Sequence, residues 1–253
     1  QRLRLIGVTG TNGKTSVSHY IATLLQETGT PCGVIGTLGY GMPGALQEGT
    51  HTTPEVVQVN RVLSKIIAQG GRAAAMEVSS HALEQGRVDN LTMTGAVFTN
   101  LTRDHLDYHG SMDAYGAAKA RLFHREELHF AVINFDDPFG RQLYEKLDGK
   151  CDRVRYSLPE AQTELWLTEF APSIDGFSAS VDGLWGRFDV SARVLGSFNV
   201  SNILAAMAAV LSLGVPVERV QQAVERLSPP PGRLEPFAGS NDVRVVVDDA
   251  HTP

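Results

Sequence analysis

The segment Gly7-Val8-Thr9-Gly10-Thr11-Asn12-Gly13-Lys14-Thr15 decides how this chain is read. Before it, Leu3 to Thr9 is an apolar, strand-like run. After it, Thr15 to Glu27 carries helical spacing until Gly29 and Pro31 stop it. A glycine-rich turn between a strand and a helix lets backbone N–H groups approach phosphate oxygens, and the helix N-terminus adds the positive end of a dipole. Lys14 suits the β- and γ-phosphates, and the Thr15 hydroxyl suits Mg²⁺. Gly10, Thr11, Asn12, Gly13, Lys14, Thr15 and Ser16 are therefore the candidate nucleotide residues. The commoner spacing has a glycine five residues before Gly13. Val8 stands there, flanked by Gly7 and Gly10, so the pattern is a variant. The competing interpretation is a glycine-rich turn that binds nothing.

Outward from this loop, strand-like and helix-like stretches alternate. Cys32 to Gly36 is a short strand, and Gly39 to Thr50, glycine-rich and aperiodic, reads as a loop. Pro54 opens a helix running from Glu55 to Gln69. Arg72 to Val78, Thr94 to Thr99, Phe130 to Asn134 and Arg153 to Ser157 are strands. Ser111 to His124 and Asp137 to Leu147 are helices. The alternation predicts an α/β fold with a mostly parallel sheet covered by helices on both faces. Glu164 to Phe170, Gly176 to Val181 and Arg187 to Val194 are strands with no helices between them, which predicts a small antiparallel sheet or meander. Asn199 to Leu213 and Val217 to Leu227 are helices, and Pro229-Pro230-Pro231-Gly232 breaks the chain before a last strand.

The chain has 253 residues and a formal net charge of −6, with no Lys/Arg cluster, which argues against a nucleic-acid partner. No stretch approaches the length of a membrane span, so no membrane partner is expected. Cys32 and Cys151 stand apart with no spaced Cys or His ligands, and read as reduced thiols of a cytoplasmic protein without zinc. No signal-peptide pattern opens the chain. It begins directly on a strand and stops at Pro253, just after the apolar run Val243 to Val247, so 1–253 is expected to be a fragment of a longer protein.

Several segments narrow the family. Gly10-Thr11-Asn12-Gly13-Lys14-Thr15 resembles the ATP loop of the Mur ligases and of the related folylpolyglutamate synthases. His51-Thr52-Thr53-Pro54, Met76-Glu77-Val78-Ser79-Ser80-His81-Ala82-Leu83 and Asn100-Leu101-Thr102-Arg103-Asp104-His105-Leu106-Asp107-Tyr108-His109-Gly110 are similar to the cell-wall branch. Gly196-Ser197-Phe198-Asn199-Val200-Ser201-Asn202 and Asp248-Asp249-Ala250-His251-Thr252-Pro253 follow in the same order. The resemblance implies the P-loop-containing central domain of a Mur ligase, with a uridine-binding domain before it and an amino-acid-binding domain after it. It further implies ATP-dependent addition of a third amino acid, diaminopimelate or lysine, to UDP-N-acetylmuramoyl-L-alanyl-D-glutamate through an acyl phosphate. The implied site uses ATP and two Mg²⁺ ions, and the expected partners are that UDP-N-acetylmuramoyl-dipeptide and an amino acid, acted on by a monomer.

The roles implied are specific. Thr15, Glu77, His105 and Lys119 would serve the metal ions, with Lys14, Lys119 and His105 catalytic. Lys119 would carry a carbamate formed with CO₂, turning a cation into an anion. By helical pattern alone, Lys119 is an exposed lysine. Glu77 follows a buried strand, where open α/β sheets place ligands; otherwise it caps a helix. Thr52, Thr53, Ser79, Gln85 and Arg87 match positions that hold the muramoyl dipeptide, and hydroxyls with an arginine suit a carboxylated, phosphorylated sugar peptide. Thr52-Thr53-Pro54 and Ser79-Ser80 could instead cap helices. Asn202, Arg233, Asp248 and His251 match positions that hold adenosine and the γ-phosphate, although a helical Asn is often a surface residue. His109 is either solvated or functional. The family usually has Tyr where Asp249 stands, so this chain departs from the family pattern there and offers no aromatic side chain at that position. The rival readings are a folylpolyglutamate synthase-type ligase, a nucleotide-binding module without ligase chemistry, and an α/β domain that binds nothing.

Overall fold

The computed structural model describes residues 3–49, 51–147, 149–238 and 244–249. The expected alternation is present in it. The elements are β1 (Arg4–Thr9), α1 (Lys14–Glu27), β2 (Cys32–Gly36), β3 (Gly39–Gly41), α2 (Val56–Ala68), β4 (Ala73–Glu77), α3 (Ser80–Glu84) and β5 (Gly95–Phe98). Then come α4 (Leu106–His109), α5 (Met112–Ala120), β6 (Phe130–Asn134), α6 (Pro138–Lys146) and β7 (Asp152–Ser157). The last part holds β8 (Leu165–Ser173), β9 (Gly176–Gly183), β10 (Phe188–Ala192), α7 (Ser197–Ser212), α8 (Val217–Val224), β11 (Glu235–Ala238) and β12 (Arg244–Val247).

Ten strands form one sheet in the order β10-β9-β8-β7-β6-β5-β1-β4-β2-β3, and β11 pairs with β12 in a separate two-stranded sheet. β1 lies between β4 and β5 and is parallel to both. The meander is antiparallel, as expected, but it continues the main sheet: β7 and β8 pair through Tyr156↔Leu165 and Ser157↔Trp166.

Both faces of the parallel strands are buried, and alternate residues serve opposite layers. In β6, Phe130 and Val132 enter one core, while Ala131 and Ile133 enter the other. The first core is closed by Val17, Ile21, Leu24 and Leu25 of α1 with Ile203, Leu204, Met207 and Leu211 of α7. The second is closed by Val59, Val62, Leu63 and Ile66 of α2, a stripe at helical spacing.

Three local readings need correction. Gly39 to Thr50 is not all loop, because Gly39–Gly41 turns back antiparallel on β2; three residues, two of them glycine, leave no periodic trace. The stretch Ser111 to His124 is not one helix: Ser111 caps α5, and Arg121–His124 tightens into a 3₁₀ turn. The four-residue α4 lies inside what reads as a polar loop.

Candidate active site

Because the parallel strands point one way, the loops after β1, β2, β4 and β5 meet at one edge of the sheet. That edge is where the strand order reverses about β1, the usual location of a ligand crevice. The loop after β1 runs from Gly10 to Gly13 and feeds α1. Gly13 is the N-cap residue of α1, with φ 84, a left-handed conformation that glycine adopts freely. A Cβ there would also lie 2.4 Å from Asn202 Oδ1, so α7 packs directly against the loop.

The loop is braced from β5. Asn100 accepts from Asn12 N–H through Oδ1 at 2.9 Å and donates from Nδ2 to Asn12 O at 3.2 Å. Its carbonyl accepts from Thr11 N–H at 2.8 Å. Thr99 Oγ1 donates to Asn12 O at 2.6 Å. This brace is itself held, since Asn134 Nδ2 donates to Thr99 O and Asp137 Oδ2 accepts from Leu101 N–H.

Two lysines converge on one oxygen. Lys14 Nζ donates to Gly10 O at 2.9 Å and to Thr11 O at 2.7 Å, and Lys119 Nζ donates to Gly10 O at 2.8 Å. Lys119 is 1% exposed, not the solvated lysine its helix pattern suggests, and lies 4.3 Å from the centre of the Tyr115 ring. Burial holds its pKa well below the usual lysine value; Lys14 pushes the same way and Asp104 opposes. Burial lowers the Lys14 pKa too, with Glu77 and Asp104 opposing and Arg233 adding to the fall.

Glu77 is buried at the end of β4 and does not cap a helix. Thr15 Oγ1 donates to its Oε2 at 3.0 Å, while Thr37 donates its N–H to Oε1 at 2.8 Å and its hydroxyl to Oε2 at 3.2 Å. Burial raises the carboxyl pKa, opposed by Lys14 and by these hydrogen bonds. His105 is the N-cap residue of α4, with φ 51; its Nε2 lies 3.3 Å from Asp104 Oδ2, and its ring stands 5.1 Å from that of His81 and 6.0 Å from that of Tyr115. His105 and Lys119 therefore share Tyr115 as a neighbour. His109 is not merely solvated, since its ring nitrogens bond Ser80 Oγ at 2.9 Å and Glu84 Oε2 at 3.2 Å.

Thr53, Ser79, Gln85 and Arg87 also come together. Thr53 Oγ1 donates to Glu77 O at 2.8 Å and accepts from Ser79 N–H at 3.0 Å, so Thr53 does not cap α2. Ser79 does cap α3, accepting from Ala82 N–H at 3.1 Å. Arg87 donates to Thr53 O at 2.9 Å, to Gln85 Oε1 at 2.9 and 2.6 Å, and pairs with Glu55 at 3.0 Å. An anion reaching Arg87 would replace Glu55. Thr52 joins the group through Thr37, with the two hydroxyl oxygens 3.1 Å apart. A Thr53→Val variant is expected to lose about 1–3 kcal/mol of stability in urea denaturation, because it strands the Ser79 N–H and Glu77 carbonyl.

Asn202 is buried, not on the surface; its Nδ2 donates to Asn199 Oδ1 at 3.2 Å. Asp248 Oδ1 accepts from Leu234 N–H at 3.3 Å. Arg233 donates to the backbone carbonyl of Asp249 at 2.9 Å, and Asp249 N–H donates to Gly232 O at 2.8 Å, so residue 249 serves this turn through its backbone. His251 lies outside the described residues.

Among the described residues, no cluster of three or more His, Cys, Asp or Glu forms a metal cage. A buried carboxylate beside a hydroxyl, next to a glycine-rich strand-to-helix loop, fits Mg²⁺, which usually takes one or two carboxylates plus substrate phosphates. His105 with Lys119 fits a second cation only if the lysine charge is inverted. No helix of the described residues is long and apolar enough to cross a membrane.

A family model described as the Mur ligase middle domain matches residues 8–210. UDP-N-acetylmuramoyl-L-alanyl-D-glutamate--2,6-diaminopimelate ligase of Alkalilimnicola ehrlichii is 47% identical over 255 residues, covering 100% of this chain and 51% of that protein. The enzyme of that name from Pseudomonas aeruginosa is 48% identical over 252 residues, covering 99% and 51%. A solved structure of a ligase of that name aligns with TM-score 0.90 at 37% identity, covering 100% of this chain and 52% of the other. The solved structure of an FPGS-AMPPCP complex is alike in fold, with TM-score 0.72 at 19% identity over 100% of this chain and 70% of its own. The chain spans about half the length of the curated relatives it matches.

Proposed function

The chain belongs to the Mur ligase family, and from that premise we propose that it is the central ATP-binding domain, 1–253, of the ligase that joins diaminopimelate to UDP-N-acetylmuramoyl-L-alanyl-D-glutamate. The choice of diaminopimelate over lysine follows the names of the relatives. In the whole protein, a uridine-binding domain would precede this part and a domain selecting the amino acid would follow it. The proposed setting is the cytoplasm, and the proposed working form is a monomer.

The observation that carries the reading is the convergence of Lys14 and Lys119 on the Gly10 carbonyl at the carboxyl edge of β1, across from the Glu77–Thr15 pair. When bound, ATP supplies the phosphoryl group that makes the substrate carboxylate an electrophilic acyl phosphate, and Mg²⁺ offsets the charge repulsion in that transfer. The chain's residues would do the rest. Gly10, Thr11, Asn12, Gly13 and Ser16 would bind phosphates through the loop and first helical turn, and Lys14 would neutralise them. Thr15 and Glu77 would hold one Mg²⁺; His105 and a carbamylated Lys119 would hold a second. Thr52, Thr53, Ser79, Gln85 and Arg87 would seat the muramoyl dipeptide. Asn202, Arg233, Asp248 and His251 would position the nucleoside and γ-phosphate.

The test is phosphate release by the full-length protein with ATP, Mg²⁺ and UDP-N-acetylmuramoyl-L-alanyl-D-glutamate, with and without diaminopimelate or lysine. Release that needs the muramoyl dipeptide and diaminopimelate together is expected. Release indifferent to the muramoyl substrate would leave an ATPase and end the cell-wall assignment.

A further inference from the structure

Thr37 belongs to no motif quoted above, yet it touches both halves of the site. It follows β2, beside the carboxyl end of β4, and supplies Glu77 with two hydrogen bonds, from its N–H at 2.8 Å and its hydroxyl at 3.2 Å. The same hydroxyl oxygen lies 3.1 Å from Thr52 Oγ1. Gly36 makes room for this arrangement, since a Cβ there would stand 2.1 Å from Glu77 Oε1.

We propose that Thr37 is a positioning residue that fixes the Glu77 carboxylate and thereby sets which hydrogen-bonding group of the acceptor Thr52 recognises. The inference rests on the reading of Glu77 as a Mg²⁺ ligand and of Thr52 as a substrate contact. A carboxylate only accepts, and a hydroxyl has one proton to give. Thr37 gives its proton to Glu77 Oε2, so the proton between the two threonines comes from Thr52. The chain of donation therefore runs Thr52 to Thr37 to Glu77, with Thr15 donating to the same Oε2 of Glu77. With its proton committed inward, Thr52 presents only lone pairs. The substrate group it meets is a donor, an amide N–H or a hydroxyl, and not a carboxylate or phosphate. Hydrogen bonds that orient a ligating carboxylate strongly affect metal affinity, so the same residue acts on the metal side.

The test uses the full-length protein and its Thr37→Val, Thr37→Ser and Thr52→Val variants. Binding of the β,γ-methylene analogue of ATP is titrated against Mg²⁺, and the KM for UDP-N-acetylmuramoyl-L-alanyl-D-glutamate is measured separately. Thr37→Val keeps the backbone donor and the side-chain shape; it is expected to raise the Mg²⁺ concentration for half-saturation by about tenfold or more and to raise the KM. Thr37→Ser is expected to recover both. Thr52→Val is expected to raise the KM while the Mg²⁺ requirement stays put. If Thr37→Val matches wild type in Mg²⁺ requirement, or serine fails to rescue it, the positioning role is wrong. If wild type itself binds no nucleotide, the proposed function fails instead, which separates the two.

Discussion

Depleting CO₂ from the assay of the full-length protein is expected to lower turnover by about tenfold or more, with bicarbonate restoring it, while a Lys119→Arg variant stays inactive under both conditions. The reason lies in the surroundings of Lys119. Burial disfavours its ammonium form, and Lys14, bonded to the same carbonyl oxygen, disfavours it further. Two cations sharing one neutral oxygen repel each other, and a poorly hydrated site screens them weakly. The neutral amine is a nucleophile. Its attack on CO₂ would form an N–C bond as a C=O π pair moves onto oxygen, an amine proton would leave to solvent, and an anionic carbamate would remain. Repulsion from Lys14 becomes attraction, and the side chain becomes a fit ligand for a cation near His105. An arginine, permanently protonated, cannot follow this route. Intact mass measured without acid is expected to show one added CO₂ in wild type and none in the variant. An unmodified amine in the Mg²⁺–nucleotide complex, together with CO₂-insensitive turnover, would refute the carbamate.

Lys14→Ala is expected to lower turnover by about 10²–10³-fold and to abolish detectable nucleotide binding, without lowering the thermal midpoint of the nucleotide-free protein. Lys14 is a desolvated cation opposed by Arg233 and compensated by Glu77 and Asp104, and it disfavours the charged form of Lys119. Removing it relieves the repulsion at Gly10 O, so the fold loses little. The phosphate loop, however, loses the charge that offsets a triphosphate in a poorly hydrated site. A fluorescent nucleotide analogue and thermal unfolding, measured on the same samples, separate the two effects. Nucleotide affinity equal to wild type would overturn the phosphate role of the loop.

The parallel sheet was legible because its strands are buried on both faces, so Cys32–Gly36 and Phe130–Asn134 read as unbroken apolar runs with the bounds they have in the structure. The glycine-rich turn between β1 and α1 was legible because its glycines and Gly-Lys-Thr are local. The burial of Lys119 was not legible, because its helix pattern reads as exposed. α5 is nine residues long, and the burial of Lys119 comes from Gly10 across 109 positions. Thr37 and Asn100 illustrate the remainder. Each does its work by hydrogen bonding to residues distant in sequence, and a single Thr or Asn after a strand has no pattern to betray that. Asn202 reads as a surface residue because α7 carries little amphipathic contrast; the helix is buried nearly all round.

The central position of β1 has a consequence for how the protein is made. On the ribosome, β1 and its loop emerge before their partners, and β1 has no partner strand until β4 and then β5 have been synthesised. Asn100 and Lys119 arrive later still, and Asn202 after them. Pairing over such separations is slow. Until α7 has been synthesised and has docked, the nascent chain therefore carries this loop without its full set of braces.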